Sequence, residues 1–514
     1  MKKNLLLSAI HFISIACMAQ PGTLDNSFGI NGKVKIDFAG GNDYFTSLAV
    51  QSDGKIIATG YTGDGANQNI ALIRLKPDGS IDSTFGQNGK VTTNIGSNDL
   101  AYATALQSDG KIIVAATLGG TTNLFALLRY QENGSPDNSF GTNGKAFNSF
   151  PGSTGSTAYT VQIQADGKIL IAGMTFIGSG KDYAVARYHP NGIIDSSFSG
   201  DGKFALDIGG GYDEVTSIAV QNDGKILLTG PAAGNNHDIV IVRLLPDGTP
   251  DTTFQIGGIG KTDLNGGHDE GRSILVLPDQ KILTGGTVGN GANFHFALVR
   301  HHPDGTLDST FGVAGKVVTT FSNNSDQLKS VTVQPDGKIV AAGYFQQQLN
   351  HVFAIARYNP DGSPDNTFGS SGKVITDVAT GNDIAYAVAM HPEGNIIVGG
   401  QNNVNLSSYD FSLVRYDSGL MVGTAQISSN IQHLSIFPNP LDAQNTLQFD
   451  LGQADVLTIT LIDYQGLVKR TFMTSRELPA GAHSEIINIG DLPHGIYCVL
   501  IRGRYGVVAL KVVR

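Results

Sequence analysis

Short runs of alternating apolar and polar residues recur along residues 22–419, each cut by a turn, and the whole pattern repeats about every 57 residues. In one copy Ser47-Leu48-Ala49-Val50-Gln51 alternates at period two, Asp53-Gly54 turns the chain, and Lys55 to Gly60 returns. Ile70-Ala71-Leu72-Ile73-Arg74-Leu75 follows, then the turn Pro77-Asp78-Gly79 and a short Gly89-Lys90-Val91-Thr92-Thr93. A tight hairpin forces left-handed backbone on its central residues. Asp and Gly accept this and β-branched residues resist it, so Asp-Gly between two apolar runs predicts an antiparallel pair. The hairpin position is held by Asp53, Asp109, Asp166, Asp223, Asp279, Asp336 and Glu393, in steps of 56 or 57 residues. Arg74, Arg129, Arg187, Arg243, Arg300, Arg357 and Arg415 recur at steps of 55 to 58 residues, as do Phe28, Phe85, Phe140, Phe198, Phe254, Phe311 and Phe368.

Four strands per unit predict the blade of a propeller. Both faces of the strands are apolar or small, as with Leu48 and Val50 on one side and Ala49 on the other, which suits sheets sandwiched between neighbours. One unit alone would leave an apolar face in water, whereas a ring of seven buries every such face. The chain opens with a lone Gly32-Lys33-Val34-Lys35-Ile36 of the fourth-strand type, and its last repeat stops at the third-strand type, Phe411 to Tyr416. Seven complete units therefore require the N-terminal strand to finish the blade begun at Ala385. The expected fold is all-β: a seven-bladed β-propeller over 20–420 closed by its N-terminal strand, a linker at 421–430, and a small immunoglobulin-like β-sandwich at 431–514.

Composition narrows the setting. The 66 glycines beside 24 Phe and 16 Tyr fit short strands and tight turns and predict almost no helix. A net charge of -10, with no Lys/Arg-rich block in the repeats, argues against nucleic acid as a partner. Met1-Lys2-Lys3, the apolar Leu5 to Ala16, and Cys17 and Ala19 ahead of Gln20 read as a cleavable secretory signal over 1–19. Ser14-Ile15-Ala16-Cys17 offers a second reading, a lipoprotein box with lipid on Cys17, in which Ser14 stands where Leu is usual. The other cysteine is Cys498, so the repeats must hold together by packing, without disulfides or thiolate metal sites. No later segment is apolar for the length of a membrane helix.

Gly305-Thr306-Leu307-Asp308-Ser309-Thr310-Phe311-Gly312 and Val333-Gln334-Pro335-Asp336-Gly337-Lys338-Ile339 resemble copies of the delta-60 repeat family of bacterial β-propeller proteins, over nearly all of 22–419. That resemblance implies the propeller and no single biochemical activity. Gln255 after Phe254, Gln280 in place of glycine, and Glu393 depart from the pattern, each within one turn. Beyond Asn430 the pattern changes to a new set of short strands. Phe437-Pro438-Asn439-Pro440, Asp463 with Gly466, Gly481, the stretch Leu492 to Tyr497 with Gly495, and Lys511 to Arg514 resemble the C-terminal sorting domain (Por secretion tail) of type IX secretion cargo in Bacteroidota. The resemblance implies the type IX machinery as a partner, a tail read as an address and commonly removed, and a protein secreted or attached to the outer-membrane surface.

Candidate chemistry follows from propeller geometry, in which the connection into each inner strand opens onto the tunnel face. Just before the inner strands stand Asp43, Asp99, Asp213, Asp269, Asp326 and Asp383, with Ser156 in the third copy. One reading is a ring of carboxylates for a divalent cation or a polyol. The other is that each caps backbone N–H groups of its own loop, as befits a residue repeated in nearly every copy. Three residues later the copies differ: Thr46, Tyr102, Tyr159, Thr216, Arg272, Lys329 and Tyr386. Tyrosines with a few charges suit capture of a glycan, peptide or protein, although tolerant rim positions would vary in the same way. His237, His268, His295 and His351 fall in loops expected on the same face, a weaker metal alternative without tight ligand spacing. The repeated arginines are expected to pair with Asp25, Asp82, Asp137, Asp195, Asp251, Asp308 and Asp365 as scaffold. No local catalytic motif appears, and the absence of tryptophan tells against quinone-dependent dehydrogenase propellers. The expected function is a secreted or cell-surface binding module that needs no cofactor. The alternatives are an extracellular polysaccharide hydrolase or lyase using Asp213, Asp269 or Asp326, and a structural surface protein.

Overall fold

The structure is a computed structural model that describes residues 20–513 apart from 39, 64–66, 121, 233–237, 265, 291–292, 323, 405–407, 421–424, 427–429, 438–443, 464–467, 490–491, 493–495 and 505. The expected signal at 1–19, with Cys17, lies outside the described residues. Among the described residues there is no helix, and none therefore crosses a membrane as one.

Residues 33–416 form seven four-stranded antiparallel sheets. The first runs Asp43–Val50, Ile56–Thr62, Asn69–Leu75 and Lys90–Thr93 in sequence order, from the inner strand outward. Five more repeat this order. The last is built from both ends of the repeat region: Asp383–Met390, Ile396–Val404 and Ser408–Tyr416 take Lys33–Ile36 as their outer strand, with Lys33 opposite Val414 and Ile36 opposite Phe411. The first inner strand packs against the inner strands of both the second and the last sheets, so the ring is closed.

The apolar residues expected on both strand faces meet at the junctions between blades. Ile113, Phe125 and Phe140 of one blade share a core with Ile169, Ala184 and Tyr188 of the next. The blades approach closely there: a Cβ added at Gly399 would lie 2.3 Å from the Phe45 ring across the closing junction. Where the hairpin glycine is replaced by Gln280, the backbone still holds φ at 66°, so the turn keeps its shape at the cost of local strain.

The repeated arginine forms a latch between blades. Arg74 Nε lies 2.8 Å from Asp82 Oδ2, its guanidinium stands 4.9 Å from the centre of the Phe85 ring, and Nη1 donates to the Glu132 carbonyl of the following blade. Arg357 is fully buried, faces Asp365 at 2.8 Å and donates to the Ser418 carbonyl. Arg415 joins the chain ends, pairing with Asp25 at 2.8 Å and donating to the Pro77 carbonyl. Burial alone would raise the Asp365 carboxyl, but hydrogen bonds from Thr367 and Lys338 and the Arg357 charge hold it down at about 2.

The C-terminal residues form a five-stranded and a three-stranded sheet around one core that includes Leu447, Phe449, Ile459, Tyr497 and Val499. The linker expected at 421–430 needs correction, because Ala425–Gln426 form a short strand paired with Val508 and Ala509 of this domain. Of the expected sorting residues, Asp463 ends a strand, Gly481 opens one with φ at 120°, buried Tyr497 lies in Ile496–Gly503, and Lys511 lies in Gly506–Val513. Pro438, Asn439, Pro440, Gly466 and Gly495 fall outside the described residues.

Candidate functional site

The inner strands share an irregularity that aims their variable residues. In six of them the pairing register breaks around one residue: between Phe45 and Ser47, Ala101 and Ala103, Ala158 and Thr160, Gly271 and Ser273, Leu328 and Ser330, and Ala385 and Ala387. The skipped residues are Thr46, Tyr102, Tyr159, Arg272, Lys329 and Tyr386, the positions at which the copies differ. The fourth copy has Thr216 immediately before its inner strand, Ser217–Val220. A bulge leaves its extra residue out of the ladder and turns that side chain away from the pleat, here beside the ring axis. Thr46 and Thr216 are tied back to the scaffold: each hydroxyl lies within 3.1–3.2 Å of a carbonyl of its own blade and of the next, Thr59 and Ala101 for one, Thr229 and Gly271 for the other, and shares its one proton between them. The five larger residues stand half-buried at the mouth.

One side of this mouth is aromatic. Tyr409, Tyr44, Tyr61, Tyr102 and Tyr159 follow one another in ring contact, with centroids 5.3, 4.9, 6.4 and 5.1 Å apart. Burial, and then the hydroxyls of Tyr344, Tyr61, Tyr409 and Tyr44 around it, keep Tyr386 protonated. Burial pushes Tyr61 up to about 12 and Tyr102 and Tyr159 higher still. The other side is charged. Burial and then the Glu214 charge hold the Tyr159 proton, and Glu214 lies 3.9 Å from Lys181, whose ammonium stands over the exposed Tyr212 ring at 4.7 Å. Arg272 pairs with Glu270, and Lys329 donates to Gln327 at 3.1 Å and stands 5.4 Å from the Tyr344 ring centre. Burial and then the Arg272 charge push Lys329 down to about 8.

The expected ring of carboxylates does not line this mouth. Asp43, Asp99, Asp213, Asp269, Asp326 and Asp383 are all fully buried. Each accepts from a backbone N–H of the loop entering its strand: Phe38, Ile95, Ile208, Leu264, Phe321 and Val378, at 2.5–3.0 Å. With both oxygens buried behind their loops, Asp213, Asp269 and Asp326 are not presented to the tunnel. Burial and neighbouring Asp377 raise Asp383 to about 7.

At the blade junctions these aspartates join others. Asp37, Asp43 and Asp410, and likewise Asp238, Asp263 and Asp269, bring carboxylate oxygens within 4.8 Å of one another, the donor sets here that would suit a divalent cation. His295 occupies the position of Asp238 and Asp410 in its own copy and bonds Asp326 at 3.1 Å. His351 bonds Asn382 at 3.2 Å, His268 is exposed, and His237 lies outside the described residues. Among the described residues, the groups of three or more that could share an ion contain aspartates alone.

Sequence reasoning therefore found the bulge residues and missed their partners Tyr44, Tyr61, Tyr344, Tyr409, Glu214 and Glu270. The signal was present one residue beyond each junction aspartate, where Tyr44, Glu214 and Glu270 stand. Tyr61 and Tyr344 become visible only once the strand register is known.

Residues 51–85, 107–140, 164–198, 221–254, 277–311 and 334–368 match the family described as Domain of unknown function (DUF5122) beta-propeller, and residues 435–513 match the Secretion system C-terminal sorting domain. The chain carries DUF5122 β-propeller repeats and a sorting tail. The tail directs the chain through type IX secretion to the cell surface or the extracellular space. The copy carrying Glu393 lies outside the matched segments, though its sheet is built like the rest. No curated protein matches the chain. Three solved structures are similar in fold. A catalytically inactive virginiamycin B lyase from Staphylococcus aureus is 12% identical, covering 74% of this chain and 98% of its own, with a TM-score of 0.44. A protein of unknown function from Dyadobacter fermentans is 10% identical, covering 76% and 100%, with a TM-score of 0.39. Sqt1 from Chaetomium thermophilum is 11% identical, covering 74% and 96%, with a TM-score of 0.42.

Proposed function

We propose that the exported propeller is a binding module that captures an extracellular glycan, peptide or protein at its tunnel mouth, after a secretory signal at 1–19 has taken it across the inner membrane. One observation carries this reading: the residues placed at the bulges differ from copy to copy, while the latch and the loop aspartates barely change. In a repeat ring, scaffold demands are the same in every copy, so side chains that differ at one shared geometric position respond to something outside the scaffold. The tyrosine arc supplies broad apolar faces with hydroxyls at their edges, the usual composition of a recognition surface. A second reading, a polysaccharide hydrolase or lyase, draws support from Tyr159 and Glu214, a neutral phenol near a carboxylate whose charge bears on it.

A glycan-array screen run beside a turnover assay on the same polysaccharides separates the readings. Binding without product, lost in Tyr102→Ala, supports the module. Product that disappears in Glu214→Gln supports the enzyme, and neither binding nor product leaves a structural surface protein.

A further inference from the structure

We propose that the ligand is an anionic saccharide, whose ring faces stack on the tyrosine arc while its acidic group docks on Lys329 and Arg272; this rests on the mouth being the binding site. The two halves of the mouth ask for different chemistry. The chain Tyr409, Tyr44, Tyr61, Tyr102 and Tyr159 crosses four blades without a charged side chain in its run of ring contacts, and burial keeps the Tyr61, Tyr102 and Tyr159 hydroxyls neutral. Stacked phenols match the flat apolar faces of pyranose rings, and their hydroxyls bond the equatorial groups.

Lys329 stands on the inner strand Asp326–Val333, in the blade beside the one that carries Tyr409. Among the described residues no carboxylate comes within 4.0 Å of its ammonium, which rests on the neutral Gln327 oxygen and the Tyr344 ring. Its charged neighbours are the Arg272 guanidinium and the Glu270 carboxylate, and Glu270 is already paired with Arg272. Two cations thus share one carboxylate in a half-buried setting, inside a protein of net charge -10. A carboxylate or sulfate placed between them would complete the pairing, and would restore the ammonium that burial and Arg272 now weaken. An acidic peptide could meet the cations but would leave the tyrosine faces without flat partners.

Calorimetric titration of the full chain at pH 7 tests this with oligogalacturonate, its methyl ester, dextran sulfate, dextran and poly-glutamate. The expected result is that at least one of oligogalacturonate and dextran sulfate binds, and that it binds about tenfold or more tighter than its neutral counterpart; comparing the two identifies the acidic group. Lys329→Gln should weaken the acidic ligand about tenfold and leave the neutral one unchanged, while Lys329→Arg should retain affinity and shows that the fold survives. Affinity for the acidic ligand should also fall between pH 7 and pH 9 as Lys329 loses its proton. Equal binding of acid and neutral forms, with both lost in Tyr102→Ala, would overturn the charge assignment and leave the binding site standing. Poly-glutamate binding as tightly as the saccharide would also overturn it, and no saccharide binding at all would count against both.

Discussion

The outer latch and the tunnel mouth are built on the same seven-fold frame and have opposite characters. At the latch every copy carries the same arginine, aspartate and phenylalanine in the same contacts, and even the copy assembled from both chain ends reproduces them through Arg415, Asp25 and Phe28. At the mouth the frame delivers one bulged residue per inner strand, in six of the seven, and the residue itself changes from Thr to Tyr, Arg or Lys. Repetition marks what the ring needs in order to close, and divergence at a geometrically fixed point marks where the ring meets something else.

Substitutions at the two sites can break or sharpen that contrast. The largest effect is expected at the latch. Arg357→Met leaves buried Asp365 with only Lys338 and Thr367 opposite it and removes the bond to Ser418, and should cost about 2–4 kcal/mol in chemical denaturation, part of it recovered in Arg357→Met with Asp365→Asn. A loss under about 1 kcal/mol would mean that the latch is decoration. Next comes closure: Val34→Pro cannot donate to the ladder opposite Leu413 and should cost about 3 kcal/mol, read as a lowered melting temperature. An unchanged melting temperature would show that the ring does not depend on joining its ends.

Asp383 gives a smaller effect with a sign. Its folded pKa of about 7 lies above the ordinary carboxyl value, so the folded state holds the proton more tightly and gains stability as pH falls from about 7 toward 4. Above pH 7 the buried charge works against folding. Asp383→Asn should therefore stabilise the protein by on the order of 1–2 kcal/mol at pH 8 and by nothing near pH 4; equal effects at both would contradict the assignment. The smallest effect is expected at the mouth, where Tyr102→Phe should change stability by less than about 0.5 kcal/mol. A loss as large as that of Arg357→Met would make the mouth part of the scaffold.

The fold was legible because its determinants are local and repeated. Asp53-Gly54 and its six counterparts marked the hairpins, and the lone strand at 33–36 implied its partner at 411–416. The arginine–aspartate pairs were also visible, being eight residues apart in six of the copies, such as Arg74 and Asp82. The site was half legible. The variable residues stood at a countable position, but nothing in an alternating strand announces a bulge, so the reason they reach the tunnel was hidden. For Asp43 and its counterparts the sequence offered both a carboxylate ring and capping of their own loops, and the structure shows the capping, which depends on N–H groups about five residues away, such as that of Phe38.

Hydrogen–deuterium exchange of the full chain, with and without the tightest glycan from the array, tests the central claim most directly. The account predicts slowed exchange in the inner strands around Tyr102, Tyr159, Arg272, Lys329 and Tyr386, and none at the outer turns after Phe85, Phe140 or Phe311. Protection confined to those outer turns, or to the C-terminal sandwich, would contradict it.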